Sequence, residues 1–194
     1  MPEEVTIETP QRNTFREEAW ETVRFLFIAL AIVLPVRIFI AQPFIVSGAS
    51  MDPTFASGQY LIVDELSYHL GDPTRGDVVI FKYPKNPKQY FIKRVIGLPG
   101  ETVAVNGNGK VSIKDKDGKI ALTLEEPYVA YTKDDTIERA LLPGEYFMMG
   151  DNRAGSFDSR AWGPVKRDFI VGKAFLRLFP LTTIDILPGQ FRQQ

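Results

Sequence analysis

The first chemistry the sequence offers surrounds one serine, in Ser47-Gly48-Ala49-Ser50-Met51-Asp52-Pro53-Thr54. Small neighbours at Gly48 and Ala49 let a second backbone approach Ser50 closely. A serine hydroxyl is a poor nucleophile near neutral pH, so Ser50 needs a base within hydrogen-bond reach. Without one it is an ordinary residue of a Ser/Gly turn. The only histidine, His69, falls in the turn-like stretch Tyr68-His69-Leu70-Gly71-Asp72-Pro73 and reads as a surface loop residue. As a base it would need a carboxylate to fix its tautomer, and its own loop offers only Asp72. Lys93 suits the task better, because it interrupts the apolar run Tyr90-Phe91-Ile92-Lys93-Arg94-Val95-Ile96 at an alternate position shared with Phe91 and Val95. If that face is buried, so is the ammonium. Desolvation disfavours the charged form and lowers a lysine pKa from about 10.4 by up to several units, leaving a neutral amine able to take the Ser50 proton. A lysine at a sheet edge with its head in water is the other reading, and the strand by itself leaves both open.

Composition narrows the field. The chain has 194 residues, no cysteine, one histidine and a formal net charge of -1. A thiolate nucleophile, a disulfide, a Cys-based zinc site and a multi-histidine metal centre are therefore excluded. No metal or organic cofactor is implied. Basic and acidic residues are dispersed along the chain, which gives no electrostatic footprint for nucleic acid as a partner. The length accommodates one cored domain plus an anchor.

The elements that must position Ser50 and Lys93 follow from patterning. Residues 1–19 form a polar tail with glutamates and Arg12 and Arg16. From Phe25 to Val36 the chain is apolar, and after Arg37 the apolar character resumes through Ala41, so residues 20–41 read as a transmembrane anchor helix. A span needs about 20 mostly apolar residues, which requires Arg37 to snorkel toward a headgroup. A buried core helix or a cleaved signal peptide are the alternatives, but Gln42-Pro43-Phe44-Ile45-Val46 lacks the small residues of a cleavage site. Arg12, Arg16 and Arg24 precede the apolar run that begins at Phe25 and no Lys or Arg lies between Arg37 and Arg75, which places the N-terminus in the cytoplasm and the remainder outside.

Residues 42–194 read as an extracytoplasmic β-rich domain. Short runs rich in β-branched and aromatic residues, such as Tyr60-Leu61-Ile62-Val63, Val78-Val79-Ile80-Phe81 and Thr102-Val103-Ala104-Val105, predict strands. Leu98-Pro99-Gly100, Asn106-Gly107-Asn108-Gly109 and Asp117-Gly118 predict the turns between them, with further strands at 110–114 and 119–124. Residues 106–140 are expected to form a peripheral hairpin region, Phe169 to Phe179 a late strand, and Pro180 to Gln194 a trailing tail.

Four blocks, in order, resemble the motifs of the bacterial type I signal peptidases: Ser50 to Thr54, Arg75 to Phe81, Lys93 to Gly100, and Gly150-Asp151-Asn152-Arg153-Ala154-Gly155-Ser156-Phe157-Asp158-Ser159-Arg160. The apolar segment matches the family's remaining block. The resemblance implies a mostly β, antiparallel-sheet catalytic domain of the signal peptidase type with one N-terminal transmembrane helix. It implies a membrane-bound serine endopeptidase that removes N-terminal signal peptides from exported preproteins at the outer face of the bacterial cytoplasmic membrane. Ser50 then occupies the nucleophile position, Lys93 the general base, and Ser156 the serine that orients the lysine amine. Asp158 and Arg160 match an ion pair that supports the Ser156 loop. The Ser50 backbone N–H is the first oxyanion donor. The second is open, because many members carry a serine where this chain has Gly48. Phe44, Val46, Met51, Phe55, Leu61, Ile80, Phe91 and Ile92 fall on substrate-pocket positions, implying cleavage after small residues in an Ala-x-Ala pattern. The implied partners are signal peptides and the lipid bilayer, with the export translocon as a candidate neighbour. Another Ser/Lys enzyme of the same superfamily, a silent membrane-anchored binding domain and an envelope scaffold are the competing readings.

Overall fold

The computed structural model describes residues 14–39, 41–115 and 117–191. Helix α1 (Thr14–Phe39) starts before the expected anchor boundary and ends short of Ala41, which instead opens the first strand. Trp20, Phe25, Leu26, Phe27, Ile32 and Val33 are all exposed along it. Among the described residues no helix is long and apolar enough to cross a membrane. The chain divides into two compact units between Ile38 and Phe39.

The second unit is built from antiparallel strands. The larger sheet contains β1 (Ala41–Ile45), β2 (Tyr60–Asp64), β3 (Val78–Tyr83), β4 (Asn86–Gly97), β9 (Glu145–Met149), β10 (Val165–Lys166), β11 (Ile170–Phe179) and β12 (Asp185–Ile186). Its order is β1-β2-β11-β3-β4-β9-β10, with β12 paired to β11. Pro43 is tolerated because β1 is an edge strand with one side free of ladder bonds. Val78 to Phe81 and Lys93 to Gly97 are buried without alternation, so β3 and β4 are covered on both faces. The sheet curls. Although β2, β11 and β3 separate β1 from β4 in the sheet order, the Phe44 and Tyr90 rings lie 5.4 Å apart. The unpaired edge of β1 thus faces the first half of β4, which β9 leaves uncovered before Arg94.

The smaller sheet has the order β7-β6-β5-β8, from β5 (Thr102–Val105), β6 (Val111–Lys114), β7 (Ile120–Thr123) and β8 (Ile137–Ala140). The hairpin strands stand where the turn residues predict them, but residues 106–140 are not peripheral. Val105, Val111, Ile113 and Leu124 share one buried cluster with Ile96, Phe147 and Met149 of the larger sheet. Burial of this apolar face, at about 25 cal/mol per Å², ties the two sheets together. The segment after Pro180 is likewise more than a tail, since it forms β12 and brings the Gly189 carbonyl to Arg94. His69 stands on a short helix, α2 (Leu66–Leu70), where a turn was expected, exposed and with Nδ1 2.9 Å from the Glu65 carbonyl.

Candidate active site

Lys93 sits in the both-sides-buried part of β4, opposite Val79 on β3. Its Nζ lies 2.7 Å from Ser50 Oγ and 2.9 Å from the Ile92 carbonyl, and the residue is 4% exposed. Desolvation pushes the ammonium pKa down to about 8, against the opposing pull of the Asp158 and Asp151 carboxylates. The Phe91 ring centroid is 5.4 Å from Nζ. Arg94, the next residue, points to the opposite face and is bound to Asp151, with Nε to Oδ1 at 2.8 Å and Nη2 to Oδ2 at 2.6 Å. Repulsion from Arg94 is therefore no part of what depresses Lys93.

The Ser50 loop is held from behind by the Gly150–Arg160 loop. Asn152 donates its side-chain amide to the Ala49 carbonyl at 3.0 Å and its backbone N–H to the Ser50 carbonyl at 3.1 Å. Thr54 donates its hydroxyl to Asp151 Oδ2 at 2.5 Å. Asp151 thus joins the Ser50 loop to β4, the strand that carries Lys93. Gly150 is where the two loops touch, because a Cβ there would overlap both Ser156 Oγ and the Ser50 carbonyl oxygen. Among the described residues the Ser50 backbone N–H donates to no partner, so it is available to an incoming oxyanion. Gly48 adopts a positive φ of 90° and offers no side-chain donor; its N–H lies 3.3 Å from Ser57 Oγ.

Ser156 differs from expectation. Its hydroxyl is buried beside the site but makes no hydrogen bond of good geometry, and it does not reach Lys93, whose amine bonds Ser50 and Ile92. It does lie close enough to Asp158 to contribute to that acid's stabilisation. Asp158 and Arg160 form the expected pair, at 2.8 Å, and Asp158 also accepts from the Gly150 N–H at 3.1 Å. Burial acts to raise the Asp158 pKa, but the Arg160 bond and charge outweigh it and hold the carboxyl below the usual range.

A cleft of about 300 Å³ runs from Ser50 and Lys93 along Phe44, Val46, Leu61, Ile80, Phe91 and Ile92. Met51 and Phe55 do not line it. At 1% and 0% exposure they pack beneath its floor with Val46, Leu61 and Ile80. Tyr90, Gly155 and Phe157 line it instead, without having been foreseen. Also missed were Glu126, bound to the buried Arg153 at 2.5 Å, and Asp135, bound to Arg160 at 2.7 Å, both from the segment between β7 and β8. For Arg94 a signal existed: an arginine inside an apolar strand needs a buried acid. For Glu126 and Asp135 no local signal exists. Among the described residues no group of three or more His, Asp or Glu side chains is placed to hold a metal ion.

Comparison with known proteins identifies the family. The family model described as signal peptidase, peptidase S26, matches residues 19–179. A probable signal peptidase I-1 of Synechocystis is 39% identical over 168 residues, 82% of each chain. A signal peptidase I of Leptolyngbya laminosa is 37% identical, covering 86% of this chain and 83% of its own. One of Bacillus caldolyticus is 38% identical, covering 79% and 88%. A solved signal peptidase I of Enterococcus faecalis aligns at 33% identity and TM-score 0.44, covering 53% of this chain and 97% of its own. The chain therefore belongs to the signal peptidase family, peptidase S26, and by that membership is a serine endopeptidase.

Proposed function

We propose that this chain removes N-terminal signal peptides from exported preproteins by a Ser50/Lys93 dyad, cutting after small residues in an Ala-x-Ala pattern. The observation that carries the reading is the 2.7 Å approach of a desolvated lysine amine to a serine hydroxyl at the end of an apolar cleft. With a pKa of about 8, roughly a tenth of Lys93 is neutral at pH 7. The neutral amine takes the hydroxyl proton as Ser50 Oγ attacks the scissile carbonyl. The oxyanion that forms accepts from the Ser50 backbone N–H. Lys93 then passes its proton to the departing amine, and the mature protein leaves while the signal peptide stays as an ester on Ser50. Water, giving its proton to Lys93, attacks the ester. Breakage of that ester returns the proton from Lys93 to Ser50 and frees the signal peptide as a carboxylic acid, which loses its remaining proton to solvent.

The substrate enters as an extended strand between the free edges of β1 and the first half of β4, with main-chain hydrogen bonds giving affinity. Buried Val46, Leu61 and Ile80 leave little depth at the floor, which favours small side chains. Ser156 supports the site through its loop, and Asp158 with Arg160 fixes that loop.

The helical segment from residue 20 to 39 is shorter and less apolar than an ordinary span, and in this reading it still anchors the enzyme in the cytoplasmic membrane as a single pass, with the N-terminus cytoplasmic and the β domain from Ala41 onward on the outer face. Large apolar residues stand on every side of α1, a pattern suited to lipid and not to water. Protease added outside spheroplasts is expected to digest the domain and spare an N-terminal tag; the reverse would overturn the topology. The activity itself is tested by incubating purified protein with a preprotein. Cleavage after Ala-x-Ala that disappears in Ser50→Ala is expected, and cleavage that survives in Ser50→Ala would overturn the dyad.

A further inference from the structure

Phe157 has an unusual placement for a phenylalanine. It is 55% exposed, it follows Ser156 directly, and it lines the same cleft as Ser50, Phe91 and Lys93. Its position is fixed from both sides. The Gly155 N–H donates to Asn152 Oδ1 at 2.9 Å just before it, and the Asp158–Arg160 pair follows it at 2.8 Å. The ring meets Tyr83 edge-on at 6.1 Å, and Tyr83 stacks on Phe91 at 4.8 Å. An apolar ring held in water at the rim of a cleft gains free energy when something apolar covers it.

An extended peptide points successive side chains to opposite faces. If the two small residues of the Ala-x-Ala pattern face the buried floor, the residue between them points away from the floor, toward the rim. We propose that Phe157 is a specificity-determining residue that contacts this middle side chain and favours a large apolar one. The inference rests on the cleavage reading above, and it adds a third readout position to the substrate. A hydrophobic contact of this kind discriminates by about tenfold.

The test compares two peptides that differ only at the middle position, Ala-Leu-Ala and Ala-Gly-Ala, as substrates of the full-length enzyme. The parent is expected to show a kcat/KM ratio of about ten in favour of leucine. Phe157→Ala should bring the ratio close to one, and Phe157→Leu should keep most of it. A variant that is partly unfolded loses both peptides equally, so the ratio still reports on Phe157. An unchanged ratio in Phe157→Ala, or a parent with no preference, would overturn the inference while leaving the dyad intact. Absence of Ser50-dependent cleavage of either peptide by the parent would overturn the underlying reading, and this inference with it.

Discussion

Lys93 Nζ lies 2.7 Å from Ser50 Oγ, and Asp151 helps to bring together these two residues, 43 positions apart, because both β4 and the Ser50 loop are fastened to it. Burial makes the amine a usable base and at the same time burdens the fold. The folded-state pKa of about 8 lies below the ordinary value of 10.5, so between those pH values the unfolded chain binds more protons than the folded one. Stability therefore rises with pH through that window, and the full penalty is present below about pH 8.

Lys93→Met should accordingly abolish cleavage, by about 10³-fold or more, while stabilising the protein at pH 7 by up to roughly 3 kcal/mol. Urea denaturation of parent and variant at pH 7 and pH 10 checks this. The gain should shrink at the higher pH, and a destabilised variant at pH 7 would contradict the burial argument.

Gly150→Ala should reduce kcat by about 10²-fold or more, because the added methyl displaces either the Ser156 hydroxyl or the Ser50 carbonyl. Ser156→Ala is gentler, since Ser156 bonds neither reacting group: a loss of about 10- to 100-fold is expected from the looser loop. Single-turnover kinetics separate the two. A Gly150→Ala enzyme as active as the parent would mean the loops do not meet as described, and a fully active Ser156→Ala would reduce Ser156 to a loop residue.

Asp151→Ala leaves the Arg94 guanidinium buried without its acid, against the face of Tyr128 at 3.9 Å. Breaking a buried pair in this way costs about 3–5 kcal/mol. The unfolding free energy of the variant measures it, and a loss below about 1 kcal/mol would show that Arg94 finds compensation from the Gly76 and Gly189 carbonyls.

The strands were legible because each is written locally, as alternating or continuous β-branched runs mark β2, β3 and β5. A lysine among apolar residues singled out Lys93 as a candidate, but its pairing with Ser50 came from the motif blocks, because two positions 43 apart carry no local signal that they meet. The bracing of the site was not legible, because Glu126 and Asp135 read as solvated loop acids until folding sets them against Arg153 and Arg160. Met51 and Phe55 show a second limit. Positions in a turn carry no period to say which side chain faces the cleft and which goes under it, and here both go under. Ser156 was assigned to the amine by resemblance, and its hydroxyl stops short of that bond.

The most direct measurement of the central claim is the pH dependence of kcat/KM for a peptide substrate, in the parent and in His69→Ala. The neutral Lys93 amine is the active form, so the rate should rise with pH along a limb centred near 8 and level off above it. Exposed His69, whose ring nitrogen lies against the Glu65 carbonyl on α2, makes no hydrogen bond to Ser50 or Lys93 among the described residues, and its variant should keep both the rate and the limb. A limb that disappears in His69→Ala, or one that lies at the pKa of a free lysine near 10.4, would contradict the account.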